Sequence, residues 1–251
     1  MELELKNKIA LVTGSSKGIG KEIASVLSNE GCKVILNGRN KNSLENISKS
    51  FPSTIKFIVA DVTKLSECEK LIKKTIDLYG RLDILVCNVG DGKSVVPGKE
   101  TAYEWKKMLD ANLQSATNLI ESSKNELSKT EGSIICISSI AGINFLGGAP
   151  IPYSVSKSAL NTYVKCSARP LGEKNIRINA IAPGNIMFEG SVWEQKIKKN
   201  PSTVKKLLKN EVSLHKFGTP KDVANLTAFL SSSKSSFITG SVYVVDGGQI
   251  R

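Results

Sequence analysis

The fold is decided by the stretch KIALVTGSSKGIG at residues 8–20. Its first half, residues 8–13, is a short apolar and β-branched run, which is typical of a buried strand. Its second half contains three glycines and therefore predicts a tight turn. Apolar residues then recur at helical spacing over residues 18–29. The stretch thus predicts a strand, a glycine-rich turn and a helix in direct succession.

The same alternation continues along the rest of the chain, and no linker or internal repeat divides it. We predict a three-layer, doubly wound α/β Rossmann fold, with a seven-stranded, mostly parallel sheet in a single domain over residues 1–251. The predicted strands are residues 8–13, 33–36, 55–59, 82–87, 133–137, 176–181 and 242–245. The predicted helices are residues 18–29, 41–50, 65–78, one or two within 100–126, 153–171, 192–210 and 222–230.

The glycine turn predicts a binding site for a pyrophosphate group. Glycines let phosphate oxygens approach the backbone, and the start of a helix offers free N–H groups and a partial positive charge. An acidic residue after the second strand favours NAD, whereas a basic one accommodates the 2′-phosphate of NADP. Here residues 37–40 hold no carboxylate but include Arg39, and Lys17 lies in the turn itself. The cofactor predicted from these residues is NADP(H).

A tyrosine and a lysine at i, i+4 spacing predict acid–base chemistry. Tyr153 and Lys157 share one face of a predicted helix, and Ser139 ends the fifth predicted strand. A phenol has a pKa near 10, so a neighbouring cation together with an oxidised nicotinamide is expected to lower the pKa of Tyr153. The only histidine is His215, which makes a histidine-based triad improbable.

These features, in this order and spacing, resemble the short-chain dehydrogenase/reductase family in its single-domain branch, over essentially the whole chain. The resemblance implies hydride transfer between NADP(H) and a carbonyl or secondary alcohol. It also implies a homotetramer or homodimer. A non-catalytic dinucleotide-sensing protein is the alternative of another class, although such relatives usually lack the tyrosine–lysine pair.

The resemblance further implies roles for individual residues. The implied catalytic residues are Asn112, which holds a proton-relay water, Ser139, Tyr153 and Lys157. The cofactor-binding residues, from the turn and from the resemblance together, are Gly14, Ser16, Lys17, Gly18, Ile19, Gly20, Arg39, Asp61, Val62, Asn88, Gly90, Tyr153, Lys157, Pro183, Gly184 and Ile186. No metal site is predicted.

The substrate is less well defined by the sequence. Residues 186–215 form the expected substrate lid, which contains Trp193 and several lysines. The pattern is similar to that of 3-oxoacyl-acyl-carrier-protein reductases, in which Lys174 would occupy one position that binds the acidic carrier. The other such position is Thr130 here, with Lys129 beside it. The alternative is a sugar or nucleotide-sugar dehydrogenase/reductase of a surface-sugar pathway.

The chain also departs from the family pattern. Val89 replaces a small alanine and Cys87 an asparagine. Met187 stands where many members have a threonine near the nicotinamide amide. Pro170 is expected to end or kink the helix that packs between subunits in the family.

Composition excludes several other classes. The 251 residues carry a net charge of +12, but the lysines are scattered along the chain and no nucleic-acid motif accompanies them, so we predict no nucleic-acid partner. No apolar stretch is long enough to span a bilayer, and residues 1–6 do not resemble a signal peptide. The five cysteines are expected to be buried free thiols, and the location to be cytoplasmic.

Overall fold

One parallel sheet organises the molecule. A computed structural model describes residues 2–52 and 55–250. The strands are β1 (Ile9–Val12), β2 (Lys33–Gly38), β3 (Lys56–Val59), β4 (Ile84–Cys87), β5 (Ser133–Ile137), β6 (Arg177–Pro183) and β7 (Val242–Val245). Their order is β3-β2-β1-β4-β5-β6-β7, and every neighbouring pair is parallel. The predicted Rossmann fold is confirmed, and the sheet is wholly rather than mostly parallel.

Both faces of the sheet are covered by apolar side chains. Because successive strand residues point to opposite faces, β1 contributes to two separate cores. Ile9 and Leu11 belong to one core, whereas Ala10 and Val12 belong to the other. This two-sided burial explains why the strands are continuous apolar runs rather than alternating patterns.

Helices connect the strands and form the two outer layers. They are α1 (Gly18–Asn29), α2 (Lys41–Ser48), α3 (Leu65–Tyr79), α4 (Ala102–Leu109), α5 (Ser115–Ser128), α6 (Ile151–Gly172), α7 (Val192–Lys199), α8 (Pro201–Glu211) and α9 (Pro220–Ser231). A π-helical turn over Asp110–Gln114 joins α4 to α5. The chain order reverses on either side of β1, which is the place where ligands bind in open sheets of this kind.

The lid differs from its prediction. The single helix predicted over residues 192–210 is wrong, because the chain breaks into α7 and α8 at Asn200 and Pro201. Pro201 occupies the first position of α8, where proline needs no hydrogen-bond donor, and the Asn200 side chain accepts the Thr203 N–H at 3.1 Å. The sequence signal was present, since an Asn-Pro pair inside a helical pattern marks a boundary.

Helix α6 runs two residues past Pro170 before it ends at Gly172. Proline has no N–H to donate to the carbonyl oxygen four residues earlier, and only two residues of the helix follow it. Four of the five cysteines are buried free thiols as predicted, but Cys166 on α6 is exposed, which corrects the expectation for that residue. In the described part of the chain, no helix is long and apolar enough to cross a membrane.

Candidate active site

The glycine turn is closely packed against neighbouring backbone and side-chain atoms. Gly14 and Gly18 have φ values of +60° and +56°, which favour glycine. A Cβ on Gly20 would lie 2.6 Å from the carbonyl oxygen of Gly14, so α1 packs directly on the turn. The Asn88 side chain, from the end of β4, donates to the carbonyl oxygens of Thr13 and Gly14 at 2.9 and 3.1 Å. Each glycine of the motif is therefore required by geometry.

The beginning of α1 fits an anionic group. The first N–H groups of a helix lack partners within the helix and are usually satisfied by a capping side chain. Lys17 precedes α1 and makes no capping hydrogen bond. The free N–H groups and the partial positive charge of the helix therefore lie at one place, the start of α1. These residues fit the pyrophosphate group that the sequence predicts for this turn.

The end of β2 carries the second predicted cation. Arg39 is exposed and makes no ion pair among residues 2–52 and 55–250. Asn37, the polar residue nearest to it in the strand, is fully buried and donates to the carbonyl oxygens of Ile58 and Ala60. No carboxylate therefore competes for the Arg39 guanidinium at this edge of the sheet.

A cavity of about 1410 Å³ lies along the carboxyl edge of the strands. All four predicted catalytic residues line it. The predicted cofactor residues in its wall are Gly14, Ser16, Lys17, Ile19, Arg39, Asp61, Val62, Asn88, Gly90, Tyr153, Lys157, Pro183, Gly184 and Ile186. Two predicted residues are not brought to the cavity wall. Gly20 faces the backbone of Gly14, and Gly18 lies under the ring of Phe188.

Ser139 and Tyr153 meet because two segments pack closely. A Cβ on Gly142 would lie only 2.6 Å from the backbone of Lys157, so the turn after β5 rests directly on α6. The Ser139 side chain begins that turn by accepting the Ala141 N–H at 3.1 Å. The half-buried Tyr153 hydroxyl lies close enough to Ser139 for the serine hydroxyl to lower the pKa of Tyr153. The pair is therefore fixed by backbone packing.

Lys157 lies beneath this pair in a closed environment. It is 3% exposed, and its Nζ donates to the carbonyl oxygen of Ile137 at 2.7 Å. Burial away from water disfavours the ammonium form and lowers the pKa of Lys157 to about 8. The lysine therefore titrates close to neutral pH.

The expected lowering of the Tyr153 pKa is not found in the protein alone. Burial raises the pKa of Tyr153, the Ser139 hydroxyl lowers it, and the Asp91 carboxylate raises it further, with a net upward shift. The prediction relied on Lys157 and an oxidised nicotinamide acting together. In the chain by itself the ammonium group of Lys157 is directed at Ile137. No sequence motif singles out Asp91, whose effect depends on the tertiary structure.

Asn112 is held on the π-helical turn between α4 and α5. Its side chain accepts the Asp91 N–H and donates to the Asp91 carbonyl oxygen, both at 3.0 Å. A Cβ on Gly90 would lie 2.9 Å from Asn112 Oδ1 and 3.1 Å from Lys157 Nζ. Because Gly90 has no side chain, Asn112 and Lys157 approach each other across it.

The base of the lid reaches the glycine turn through a residue that the sequence analysis did not single out as a site residue. A Cβ on Gly18 would lie 2.6 Å from the Phe188 ring. Met187 occupies the position at which many family members have a threonine. Its sulfur accepts a hydrogen bond from the Ser191 hydroxyl at 3.6 Å. Phe188 therefore covers the start of α1 on the lid side.

Two basic residues do not reach the cavity. Lys174 follows the end of α6, and Lys129 follows the end of α5, whereas Tyr153 lies in the first turn of α6. A helix of 22 residues is about 33 Å long, which places Lys174 at the opposite edge of the sheet. Thr130 is engaged there by its hydrogen bond to the carbonyl oxygen of Leu82. In one subunit these residues therefore lie about one helix length from Tyr153.

The buried lysine leads to a prediction about stability. The pKa of Lys157 is about 8 in the folded state and near 10.5 in the unfolded state, so between these values the unfolded chain binds more protons. The free energy of unfolding should therefore rise with pH across this window. Relative to Lys157→Met, the wild type should gain about 2 kcal/mol between pH 7 and pH 10.

Urea unfolding of both proteins at the two pH values measures this difference. Lys165→Met, which removes an exposed lysine from the same helix but keeps Lys157, serves as the control and should show the same gain with pH as the wild type. Parallel pH curves for the wild type and Lys157→Met would contradict the assignment.

Comparisons with known proteins agree with this geometry. The family model described as enoyl-(acyl carrier protein) reductase matches residues 14–249. The 3-oxoacyl-acyl-carrier-protein reductase FabG of Thermotoga maritima is 31% identical over 99% of this chain and 100% of its own length. Dehydrogenase/reductase SDR family member 4 of Oryctolagus cuniculus is 33% identical over 97% of this chain and 94% of its own.

Solved structures with a similar fold include a reductase and a dehydrogenase. L-sorbose reductase from Gluconobacter frateurii, solved with NADPH and L-sorbose, is 26% identical with a TM-score of 0.92, over 100% of this chain and 99% of its own. A 7α-hydroxysteroid dehydrogenase, solved with NADH and 7-oxo glycochenodeoxycholic acid, is 29% identical with a TM-score of 0.90. The match covers 99% of this chain and 96% of its own. This chain belongs to the short-chain dehydrogenase/reductase family. It is an oxidoreductase that uses a nicotinamide dinucleotide on carbonyl or alcohol substrates.

Proposed function

We propose that this protein is an NADP(H)-dependent oxidoreductase that interconverts a ketone and a secondary alcohol, with Tyr153 as the general acid–base. One observation carries the proposal. Ser139, Tyr153, Lys157 and Asn112 line the same cavity as the glycine turn. The dinucleotide supplies or accepts a hydride when bound, whereas proton transfer is left to the chain.

Side chains of the protein provide proton transfer, hydrogen bonding to the substrate and positioning. The Tyr153 hydroxyl gives a proton to the carbonyl oxygen in reduction and takes it back in oxidation. The Ser139 hydroxyl is placed beside it and can donate to the same oxygen atom. Lys157, on the floor of the site, favours the phenolate when it is protonated and the Tyr153 proton has left. Asn112 fixes the backbone at Asp91 through two hydrogen bonds and so holds that side of the cavity in place.

Two features support NADP(H) rather than NAD(H). Lys17 and Arg39 both line the cavity, and neither is paired with a carboxylate in the described part of the chain. A 2′-phosphate would give both cations a partner, whereas a ribose hydroxyl would leave them without one. The solved relatives use either cofactor: one holds NADPH and another NADH.

The substrate has two candidates. Relatives named as 3-oxoacyl-acyl-carrier-protein reductases support an acyl substrate carried on an acidic protein. The L-sorbose reductase structure supports a sugar or a nucleotide sugar. The position of Lys174, far from the cavity in one subunit, removes local support for carrier binding.

An assay of NADPH oxidation with a panel of ketones tests the proposal directly. We expect turnover of at least one carbonyl compound, with measurable NADPH binding in a separate titration. The combination of tight NADPH binding with no turnover of any carbonyl would instead favour the dinucleotide-sensing alternative.

We also propose a homodimer or homotetramer. Ile151 and Val155 lie on the outer face of α6 and are 43% and 44% exposed. A second subunit packed on this helix would cover them. Light scattering gives the mass in solution, and a monomer would contradict this assignment. A cytoplasmic location stays a prediction.

A further inference from the structure

One end of the cavity wall contains two carboxamides without partners. Asn185 follows Gly184 at the end of β6, and Gln249 follows Gly248 just beyond β7. Both line the cavity that contains Tyr153. Asn185 Nδ2 and Gln249 Oε1 are buried and have no hydrogen-bond partner. Asn185 as a whole is only 9% exposed.

The backbone around both residues is firmly held. The carbonyl oxygen of Asn185 accepts the Gly218 N–H at 3.0 Å. The Asp246 carboxylate accepts the N–H groups of Gly248 and Ile250 at 2.8 and 2.7 Å, which fixes the turn on both sides of the second amide. The two carboxamides are therefore mounted on rigid segments.

Neither carboxamide is used by the fold. Within residues 2–52 and 55–250, the side chains of Asn185 and Gln249 make no hydrogen bond. Pairing of either amide with a ligand in the cavity would therefore break no hydrogen bond of the described residues. An unpaired buried polar group is unfavourable, so a ligand that pairs with it is selected over one that does not.

A carboxamide has a donor end and an acceptor end, and a hydroxyl group can pair with either. A hydrocarbon chain can pair with neither and would leave both amides unsatisfied, which sites built for hydrogen bonding reject strongly. Building on the proposed function, we propose that Asn185 and Gln249 determine substrate specificity by binding hydroxyl groups of a polyhydroxylated carbonyl compound, such as a ketose.

The lid adds further polar groups at the same end. Asn210 and Glu211, in the last turn of α8, also line the cavity. The segment after α8 is fastened to the β7 side, because the Leu214 N–H donates to the carbonyl oxygen of Gly247 at 3.0 Å. Trp193 contributes an apolar surface to the wall. Hydrogen-bonding groups and an aromatic ring in the wall of one cavity suit a hydroxylated molecule.

The test compares two ketones that differ in their hydroxyl groups. Ketoses, including L-sorbose, are measured against 2-hexanone, which has the same number of carbon atoms but no hydroxyl. The variants are Asn185→Leu and Gln249→Met, each close in shape to the native side chain but apolar. We expect each variant to lose about 10-fold in kcat/KM for the preferred ketose, largely through KM. Turnover of 2-hexanone and affinity for NADPH should stay within about twofold of the wild type.

Gln195→Met is the matched control, because Gln195 is an exposed lid residue outside the cavity wall. It should leave both substrates unaffected. Asn185→Ser, which keeps a hydrogen-bonding group in a smaller side chain, serves if Asn185→Leu does not fold. Asn185→Ser should lose less of its kcat/KM for the ketose than the apolar variant Gln249→Met does.

The outcomes separate this inference from the proposed function. Equal losses for the ketose and for 2-hexanone would overturn it, as would a wild type that prefers acetoacetyl thioesters to every ketose. In either case the enzyme would still be a carbonyl reductase. If no carbonyl compound at all were reduced, the proposed function itself would fail.

Discussion

Tyr153→Phe should lower turnover by roughly 10² to 10⁴, which is the usual contribution of a general acid–base. The substitution keeps the ring and its packing but removes the proton that the reaction needs. The glycine turn is untouched, so NADPH affinity should be preserved. Initial rates at saturating NADPH, together with a fluorescence titration of NADPH binding, separate the two effects.

The control for this experiment lies on the same helix. Tyr163 is ten residues further along α6 and does not line the cavity. Tyr163→Phe should therefore keep near-normal turnover. Near-normal turnover in Tyr153→Phe as well would remove Tyr153 from the mechanism and leave Ser139 as the remaining hydroxyl beside the site.

Arg39→Ala should raise the KM for NADPH by about 10- to 100-fold, the size expected for the loss of charge-assisted hydrogen bonds. The KM for NADH should change little, because a ribose hydroxyl makes no such contact. Steady-state kinetics with both dinucleotides at a fixed ketone concentration measure the ratio.

Lys41→Ala is the matched control, since Lys41 is an exposed cation two residues away that does not line the cavity. It should leave both KM values unchanged. If the wild type used NADH as well as NADPH, or if Arg39→Ala weakened both dinucleotides equally, the assignment of the 2′-phosphate site to Arg39 would be wrong.

The sequence predicts the fold because its strands and turns depend on local chemistry. The apolar run before the glycine turn is continuous because both faces of the sheet are buried, and its glycines are needed for close backbone packing. The i, i+4 spacing of Tyr153 and Lys157 fixes their common helix face without any tertiary information. Nearly all the cofactor residues named from the sequence accordingly share one cavity.

The tertiary structure alone decided the electrostatics and the substrate end of the site. Burial, which depends on distant segments, lowers the pKa of Lys157 to about 8 and raises that of Tyr153. The contact of Phe188 with Gly18 joins segments far apart in the chain. A role in substrate binding can be inferred for Asn185 and Gln249 only from the tertiary structure. There β6 and β7 are neighbours, and both amides are left without partners. Local sequence determines which elements form, whereas burial and unmet hydrogen bonds depend on which elements become neighbours.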